Sequence, residues 1–267
     1  MTVLGMVRMQ ILERQCKVLE LTQLGCGDWT MTLESQGLAE QVAAPGQFLH
    51  LKCGPGQLLR RPISICNWSA RRDLIRLVFS VRGEGTAWLA QRQVGESLDV
   101  LGPLGNGFSM ESGASYLLVG GGIGTPPLLG CAVQGSGMCT AVLGFRSARQ
   151  AMLLEEFGQA CPGGVRLATD DGSLGHHGFV DALVAQELES HPGRYAGVLA
   201  CGPKPMLRAV AAVCARYEVD CQVSLEERMG CGVGACLVCA CPTVDGGYAH
   251  VCKDGPVFPA QEVDWNA

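Results

Sequence analysis

Two patterns of apolar and polar positions divide the chain. From residue 6 to about Pro103, short apolar runs, some alternating with polar positions, stop at turn-forming residues. Val18-Leu19-Glu20-Leu21, Trp29-Thr30-Met31-Thr32-Leu33, Phe48-Leu49-His50-Leu51-Lys52 and Ile75-Arg76-Leu77-Val78-Phe79 read as strands. Many short strands with Gly, Pro and Asn between them predict a small antiparallel barrel. From Tyr116 the grammar changes to strand, glycine turn, helix, strand. Tyr116-Leu117-Leu118-Val119, Cys139 to Gly144, Val165 to Thr169 and Gly197 to Ala200 are largely continuous apolar runs. Such runs suit parallel strands covered on both faces. Helices are predicted between them, around residues 127–133, 152–159, 180–188 and 205–217. The fold class is therefore a multidomain β plus α/β protein. Its expected parts are a barrel over 1–110, a parallel-sheet α/β unit over 111–218 and a small C-terminal unit over 219–267.

The stretch from Ser112 to Phe145 carries no charged residue and is long enough to cross a bilayer. Gly120 to Gly124, Pro126-Pro127 and Gly135-Ser136-Gly137 break it into pieces, which fits a soluble α/β core and no membrane span. Residues 1–15 interrupt their apolar positions with Arg8, Gln10, Glu13 and Arg14, so no secretory signal is read there. With 48% hydrophobic and 17% charged residues, the chain is globular rather than disordered. A net charge of −5 gives no reason to expect nucleic acid or an anionic membrane. Fifteen cysteines without a signal peptide point to a reducing compartment, the cytoplasm, with most thiols serving as small core residues.

Four of those cysteines are spaced for chemistry. Cys231, Cys236 and Cys239 stand in a Cys-x4-Cys-x2-Cys order among Gly230, Gly232 and Gly234, and Cys252 follows after a short excursion. This is the plant-type ligand order of a [2Fe–2S] cluster. A loop can bring three thiolates to one small volume only by folding tightly round the inorganic core, which glycine allows. Structural zinc sites instead pair two short Cys knuckles, and here the fourth cysteine comes alone.

Three pieces of the barrel segment suit a phosphate-bearing ligand. Arg60-Arg61-Pro62-Ile63-Ser64-Ile65, placed between two strands, sets a guanidinium beside a hydroxyl on stiff extended backbone. Gly83-Glu84-Gly85-Thr86 opens a helix, whose first N–H groups favour a pyrophosphate; Thr86 as a simple N-cap is the plainer reading. Gly102 to Phe108 closes the barrel. In the α/β segment, Gly120, Gly121, Gly122, Ile123, Gly124 and Thr125 follow a strand and open a helix. Thr125 replaces the third glycine of the usual dinucleotide fingerprint, and no acidic residue lies about twenty positions on. Cys201-Gly202-Pro203 ends a later strand, where open α/β sheets place ligands. Asp170, Asp171, His176 and His177 read as turn formers in a glycine loop.

In that order these motifs resemble the ferredoxin–NADP reductase superfamily. Arg61-Pro62-Ile63-Ser64, Gly83-Glu84-Gly85-Thr86 and Ser224 to Cys236 are similar to one branch, the electron-transfer subunits of NAD-dependent (class 1B) dihydroorotate dehydrogenase. The likeness runs from Gly46 to Phe258. It implies FAD held by Arg61, Pro62, Ile63 and Ser64, by Val78, Phe79 and Ser80, and by Gly85 and Thr86. Relatives often carry Tyr-Arg where this chain has Phe79-Ser80, which leaves one contact to Arg82 or Arg60. It implies NAD at Gly120, Gly121, Gly122, Gly124, Thr125, Cys201, Gly202 and Pro203, with Cys201 near the nicotinamide. Arg146 and Arg149 would suit NADP if they held a 2′-phosphate. The implied ligands of the cluster are Cys231, Cys236, Cys239 and Cys252. The implied partner is a separate FMN-containing catalytic subunit, two copies of each forming a heterotetramer that serves pyrimidine synthesis. A related transhydrogenase or sulfhydrogenase subunit and a non-catalytic redox sensor are the alternatives.

Overall fold

In the computed structural model, which describes residues 11–135 and 138–267, six antiparallel strands close a barrel. They are β1 (Leu12–Gly25), β2 (Asp28–Glu34), β3 (Phe48–Leu51), β4 (Arg61–Ser69), β5 (Leu74–Ser80) and β6 (Ser97–Leu104), with a short helix α1 (Glu84–Leu89) before the last. Their order is β1-β2-β5-β4-β3-β6. Closure comes from β6, which pairs with both β1 and β3. The interior is filled from alternate positions: Met31 and Leu33 of β2, Leu49 and Leu51 of β3, Leu77 of β5 and Val100 of β6. Residues 61–65, expected between two strands, are themselves strand β4, paired with β3 and β5. Their mixture of Arg, Pro and Ser masks the alternation because one side of this strand is a half-open wall rather than core. The leader-free reading of residues 1–10 and the turn at Ser136 and Gly137 lie outside the described residues.

The second unit runs through β7 (Tyr116–Gly121), α2 (Pro126–Gln134), β8 (Thr140–Phe145), α3 (Leu154–Ala160), β9 (Val165–Thr169), β10 (His176–His177), α4 (Val180–Ser190), β11 (Gly197–Cys201) and α5 (Lys204–Arg216). It continues with β12 (Cys221–Ser224), leaves for a hairpin of β13 (Ala240–Pro242) and β14 (Tyr248–His250), and returns as β15 (Val257–Pro259). The sheet order is β10-β9-β8-β7-β11-β12-β15, parallel except for the antiparallel pair β12 and β15. Leu118 faces Leu128, Leu129 and Phe157 of α2 and α3, while Leu117 and Val119 face Val184 of α4 and Leu207 and Val210 of α5. Helices thus cover both faces, which is why these strands read as unbroken apolar runs. The uncharged stretch is β7, α2 and β8, and no helix among the described residues is long and apolar enough to cross a membrane. The segment expected from residue 219 begins inside this sheet, because β12 pairs with β11 and β15 pairs with β12.

The parts share cores. Cys66 and Val78 of the barrel pack with Leu128 and Leu129 of α2. Phe48 and Leu104 pack instead with Val251, Cys252 and Phe258 of the C-terminal unit. Asn106, just past β6, fastens the same junction. Its backbone N–H donates to Gly255 O at 2.6 Å, and its Nδ2 donates to the Lys253 and Asp254 carbonyls at 3.1 and 2.9 Å.

Close packing of backbone at this junction generates a paired prediction. A Cβ on Gly107 would lie 2.3 Å from Pro45 O, and that carbonyl accepts the Phe108 N–H at 2.7 Å, so neither can withdraw freely. Gly107→Ala should lower stability by about 1–3 kcal/mol. Gly158 of α3 has open space around its Cβ direction, and Gly158→Ala should raise stability by about 0.5–1 kcal/mol. Urea denaturation of both variants checks the pair; equal effects would contradict this packing.

Candidate functional site

The β3–β4 register builds one wall. His50 lies opposite Pro62 and Phe48 opposite Ser64, whereas Leu49 lies opposite Ile63 and Leu51 opposite Arg61. Paired residues share a face, and Leu49 and Leu51 fill the barrel. Phe48, His50, Pro62 and Ser64 therefore look outward, towards the C-terminal unit. At the edge of this wall the two phosphate motifs meet. A Cβ on Gly85 would fall 2.5 Å from Arg61 Nε, so only glycine lets α1 approach the guanidinium this closely. Arg61 Nη2 donates to Gln57 Oε1 at 2.8 Å, and Gln57 Nε2 donates to Glu84 Oε2 at 2.8 Å, which ties the arginine to the start of α1. Gln57 has no signal in the sequence beyond its place near Arg61. Thr86 does not occupy the N-cap, which is Gly83. Its hydroxyl sits in the first turn and accepts the Arg82 and Gly83 N–H groups at 2.8 and 3.2 Å.

Beside β4, strand β5 presents its three expected residues differently. Val78 faces α2, Phe79 is buried in the barrel core, and the Ser80 hydroxyl is bonded to Asp28. Phe79 can meet a ligand on this wall only through its backbone. Arg60 is committed elsewhere: its Nη1 donates to Asp99 O at 3.0 Å, and its Nη2 pairs with Asp99 at 2.8 Å and with Glu13. Arg82, two residues past Ser80, is exposed, and its side chain makes no ion pair among the described residues.

The glycine turn and the second strand end meet in the α/β unit. Gly120 is in register with Cys201, and Cβ atoms on Gly124 and Gly121 would come within 2.5 Å of Cys201 O and 2.4 Å of Met206 Sδ. Gly122, Gly202 and Pro203 complete this crevice at the C-terminal ends of β7 and β11. Thr125 is fully buried, and its hydroxyl has no hydrogen-bond partner among the described residues, an open donor at the start of α2. Burial pushes the Cys201 thiol up to about 12 while the neighbouring Ser224 hydroxyl pulls the other way, so Cys201 stands as a neutral thiol. Arg146 and Arg149 are exposed beyond β8. Asp171 accepts the Ser173 N–H at 3.0 Å and its hydroxyl at 2.5 Å, as a turn former does.

The cysteine loop is shaped by its own amides. The N–H groups of Val233, Ala235 and Cys236 point at Cys231 Sγ from 3.4, 3.2 and 3.4 Å. Those of Cys231, Gly234 and Cys252 point at the sulfurs of Cys236, Cys252 and Cys239 from 3.3, 3.1 and 3.4 Å. Gly232 and Gly234, with φ of +73° and +80°, give the backbone the left-handed turns that aim these donors inward. Burial raises the Cys231 thiol, but the amides of Val233, Cys236 and Ala235 outweigh it and bring it down to about 6. Burial and the neighbouring Cys239 thiol push Cys252 up. The thiols group two and two, Cys231 with Cys236 and Cys239 with Cys252. Among the described residues no three His, Cys, Asp or Glu side chains converge on a single ion. A two-iron core, with one thiol pair per iron and sulfurs that accept N–H bonds, fits this donor set. The Cys231–Cys236 pair reaches the surface, whereas Cys239 and Cys252 are each 2% exposed. Cys241 is buried in β13 opposite Ala249 and takes no part in the pairs.

One residue that the motifs do not mark stands between these sites. His50 is completely buried, and neither ring nitrogen reaches a partner in hydrogen-bond geometry among the described residues. Burial first, then Arg60, holds its pKa down to about 4, so the ring is neutral. A buried polar group left open costs about 1–3 kcal/mol. The only trace in the sequence is a histidine inside an apolar strand.

Comparison with known proteins agrees with this geometry. Residues 226–264 match the family described as the iron–sulfur cluster binding domain of dihydroorotate dehydrogenase B. The chain is 45% identical over 246 residues to the "Dihydroorotate dehydrogenase B (NAD(+)), electron transfer subunit" of Bacillus caldolyticus, covering 88% of this chain and 92% of that one. It is 43% identical to the protein of that name from Shouchella clausii, covering 92% and 96%, and 40% identical to that of Listeria monocytogenes, covering 95% and 99%. Among solved structures, an NADH-dependent reduced ferredoxin-NADP oxidoreductase superposes with a TM-score of 0.85 at 27% identity, over 95% of this chain and 91% of that one. A ferredoxin reductase of carbazole 1,9a-dioxygenase shares the fold, with a TM-score of 0.68 at 22% identity over 79% of this chain and 68% of that one.

The loop generates a ligand-by-ligand prediction. Chain isolated without air should hold two irons and two acid-labile sulfides, the content of one [2Fe–2S] core. Serine at Cys231, Cys236, Cys239 or Cys252 should abolish that content, while Cys241→Ser should retain it. Iron and sulfide analysis decides, and zinc in the natively isolated chain would refute the assignment.

Proposed function

The chain belongs to the family of electron transfer subunits of NAD(+)-dependent dihydroorotate dehydrogenase B, and from that premise we propose how its parts divide the work. The protein is the electron-transfer subunit of an oxidoreductase complex, with FAD, a [2Fe–2S] cluster and NAD as its redox groups. Bound FAD and cluster supply hydride exchange with NAD and single-electron exchange with each other. Everything else falls to residues that bind, orient and exclude water.

Arg61 supplies a fixed positive charge to the flavin phosphates, beside Gly85, Thr86 and the first N–H groups of α1. Pro62 and Ser64, with the Ile63 backbone between them, form the wall for the ring system, with Val78, the Phe79 backbone and Ser80 alongside, and Arg82 serves the phosphate or adenine side. Gly120, Gly121, Gly122, Gly124 and Thr125 receive the NAD pyrophosphate. Cys201, Gly202 and Pro203 border the nicotinamide, where a neutral thiol gives a polarisable contact without a competing charge. Cys231, Cys236, Cys239 and Cys252 hold the cluster. The partner is the catalytic subunit of the complex, which brings FMN and the dihydroorotate site. Dihydroorotate gives up two electrons and two protons to become orotate, and NAD+ leaves as NADH with one proton released. We expect two copies of each subunit, working in the cytoplasm, where the eleven cysteines outside the cluster persist as thiols.

The observation that carries this reading is the surface-facing Cys231–Cys236 pair, in a loop whose Gly232 packs against His50 of the outward wall. Leu237 and Val238, between two ligands, are 62% and 55% exposed and offer an apolar face to the partner beside the cluster. The likeness to the reduced ferredoxin-NADP oxidoreductase favours a transhydrogenase-type subunit as the second reading, but its 27% identity stands against 40–45% for the dihydroorotate branch.

Two measurements follow. Cofactor extracted from this chain alone should be FAD, and Arg61→Ala should weaken its binding by about 1.5–3 kcal/mol, roughly 10- to 150-fold. FMN in the extract would overturn the flavin assignment. The isolated chain should reduce artificial acceptors with NADH and leave dihydroorotate untouched. Adding the FMN-bearing subunit from the same source should create NAD-dependent orotate formation, and Cys236→Ser should abolish it while NADH still bleaches the flavin. Coupling that survives loss of the cluster would refute the arrangement.

A further inference from the structure

His50 occupies a place that neither cofactor motif explains. It projects from β3 opposite Pro62, on the outward wall that the flavin reading uses. Across the gap lies the cluster loop: a Cβ on Gly232 would come 2.5 Å from His50 Nδ1 and 3.1 Å from Cε1. Gly232 directly follows Cys231, so the imidazole touches the loop at its first ligand. The carbonyls of Arg60, which precedes the flavin motif, and of Cys231 both adjoin the ring. Among the described residues neither ring nitrogen makes a hydrogen bond. An apolar side chain would fill the same space without leaving buried nitrogens unmatched. Its neighbour Phe48 on the same wall does that, packing against Cys252 and Phe258. A polar ring at zero exposure calls for partners that engage when the surrounding parts close up.

We propose that His50 is a positioning residue that spans the flavin wall and the cluster loop, its one ring N–H donating to the Cys231 carbonyl when both redox groups are in place, and so sets the gap that electrons cross. The proposal rests on the functional reading above and deepens it. The step concerned is the passage of electrons one at a time between flavin and cluster. The histidine neither makes nor breaks a bond and keeps its proton throughout. Its contribution is geometric: electron transfer slows steeply as a gap widens, and a loop held at Cys231 cannot drift from the wall. Gly232 is then fixed as glycine twice over, by its positive φ and by the ring packed against it.

The test compares His50→Leu, which keeps the bulk and removes the nitrogens, with His50→Asn, which restores a donor near Nδ1. Each is isolated without air as the full chain, and iron, sulfide and FAD are counted. The reduced cluster is recorded by EPR and its midpoint potential measured. Rapid mixing with NADH then follows flavin bleaching and cluster reduction separately. In His50→Leu, cluster reduction should slow at least tenfold relative to flavin bleaching, with displaced EPR g-values and iron still bound. In His50→Asn that ratio should return to within threefold of the parent chain. A leucine variant within twofold of the parent, with unshifted g-values, would overturn the proposal. So would equal loss of iron from both variants, which would make His50 a space-filler. A parent chain that lacks iron, or whose flavin NADH does not bleach, would instead bring down the functional reading beneath it.

Discussion

Four sulfurs must be gathered round a small inorganic core inside a chain that offers few charges to balance it. The loop meets that requirement with backbone amides. Three of them converge on Cys231 alone, and this, more than any side chain, brings its thiol down towards the thiolate a metal needs. Amides can be aimed in this way only if the loop turns left-handed at Gly232 and Gly234 and is clamped at both ends. The clamp is the sheet edge: β12 leads the chain out and antiparallel β15 brings it back, in register at Ser224 and Val257. The cluster unit is thus an excursion from the edge of the nucleotide sheet, and its position follows from that sheet.

The barrel is fixed to this excursion from the other side. Asn106 donates three hydrogen bonds to the turn at 253–255, and Phe48 enters the core formed by Val251, Cys252 and Phe258. A single two-strand wall therefore has two duties. Its inward residues close the barrel, and its outward residues face the redox sites. The period of two along β3 and β4 makes this division automatic. A shift of one residue in that register would send Pro62 and Ser64 inward and bury Ile63 against the cofactor side.

The change from barrel strands to parallel-sheet strands was plain in the residue pattern, because alternating and continuous apolar runs report whether one or two faces of a strand are covered. The cysteine spacing behind the four proposed ligands was equally plain, since it is set by covalent chain length within one short segment. Strand β4 was hidden, because Pro62 and Ser64 belong to a wall that is neither core nor open solvent. The inward turn of Phe79 and the commitment of Arg60 to Asp99 and Glu13 were hidden too. These depend on which side of the barrel a residue takes and on partners far along the chain.

By itself, then, the sequence determined the two patterns of strand, the glycine turns, the cysteine order and the flavin motif, all set by neighbours within a few residues. Tertiary structure alone decided that Gly85 lies against Arg61, that Ser224 stands beside Cys201, and that β12 and β15 belong to the nucleotide sheet. It also decided that His50 bridges the wall and the loop. Gly232 is 182 positions further along the chain than His50, and no local periodicity carries information over that distance. Only the packing of a closed barrel against a clamped excursion brings the two together.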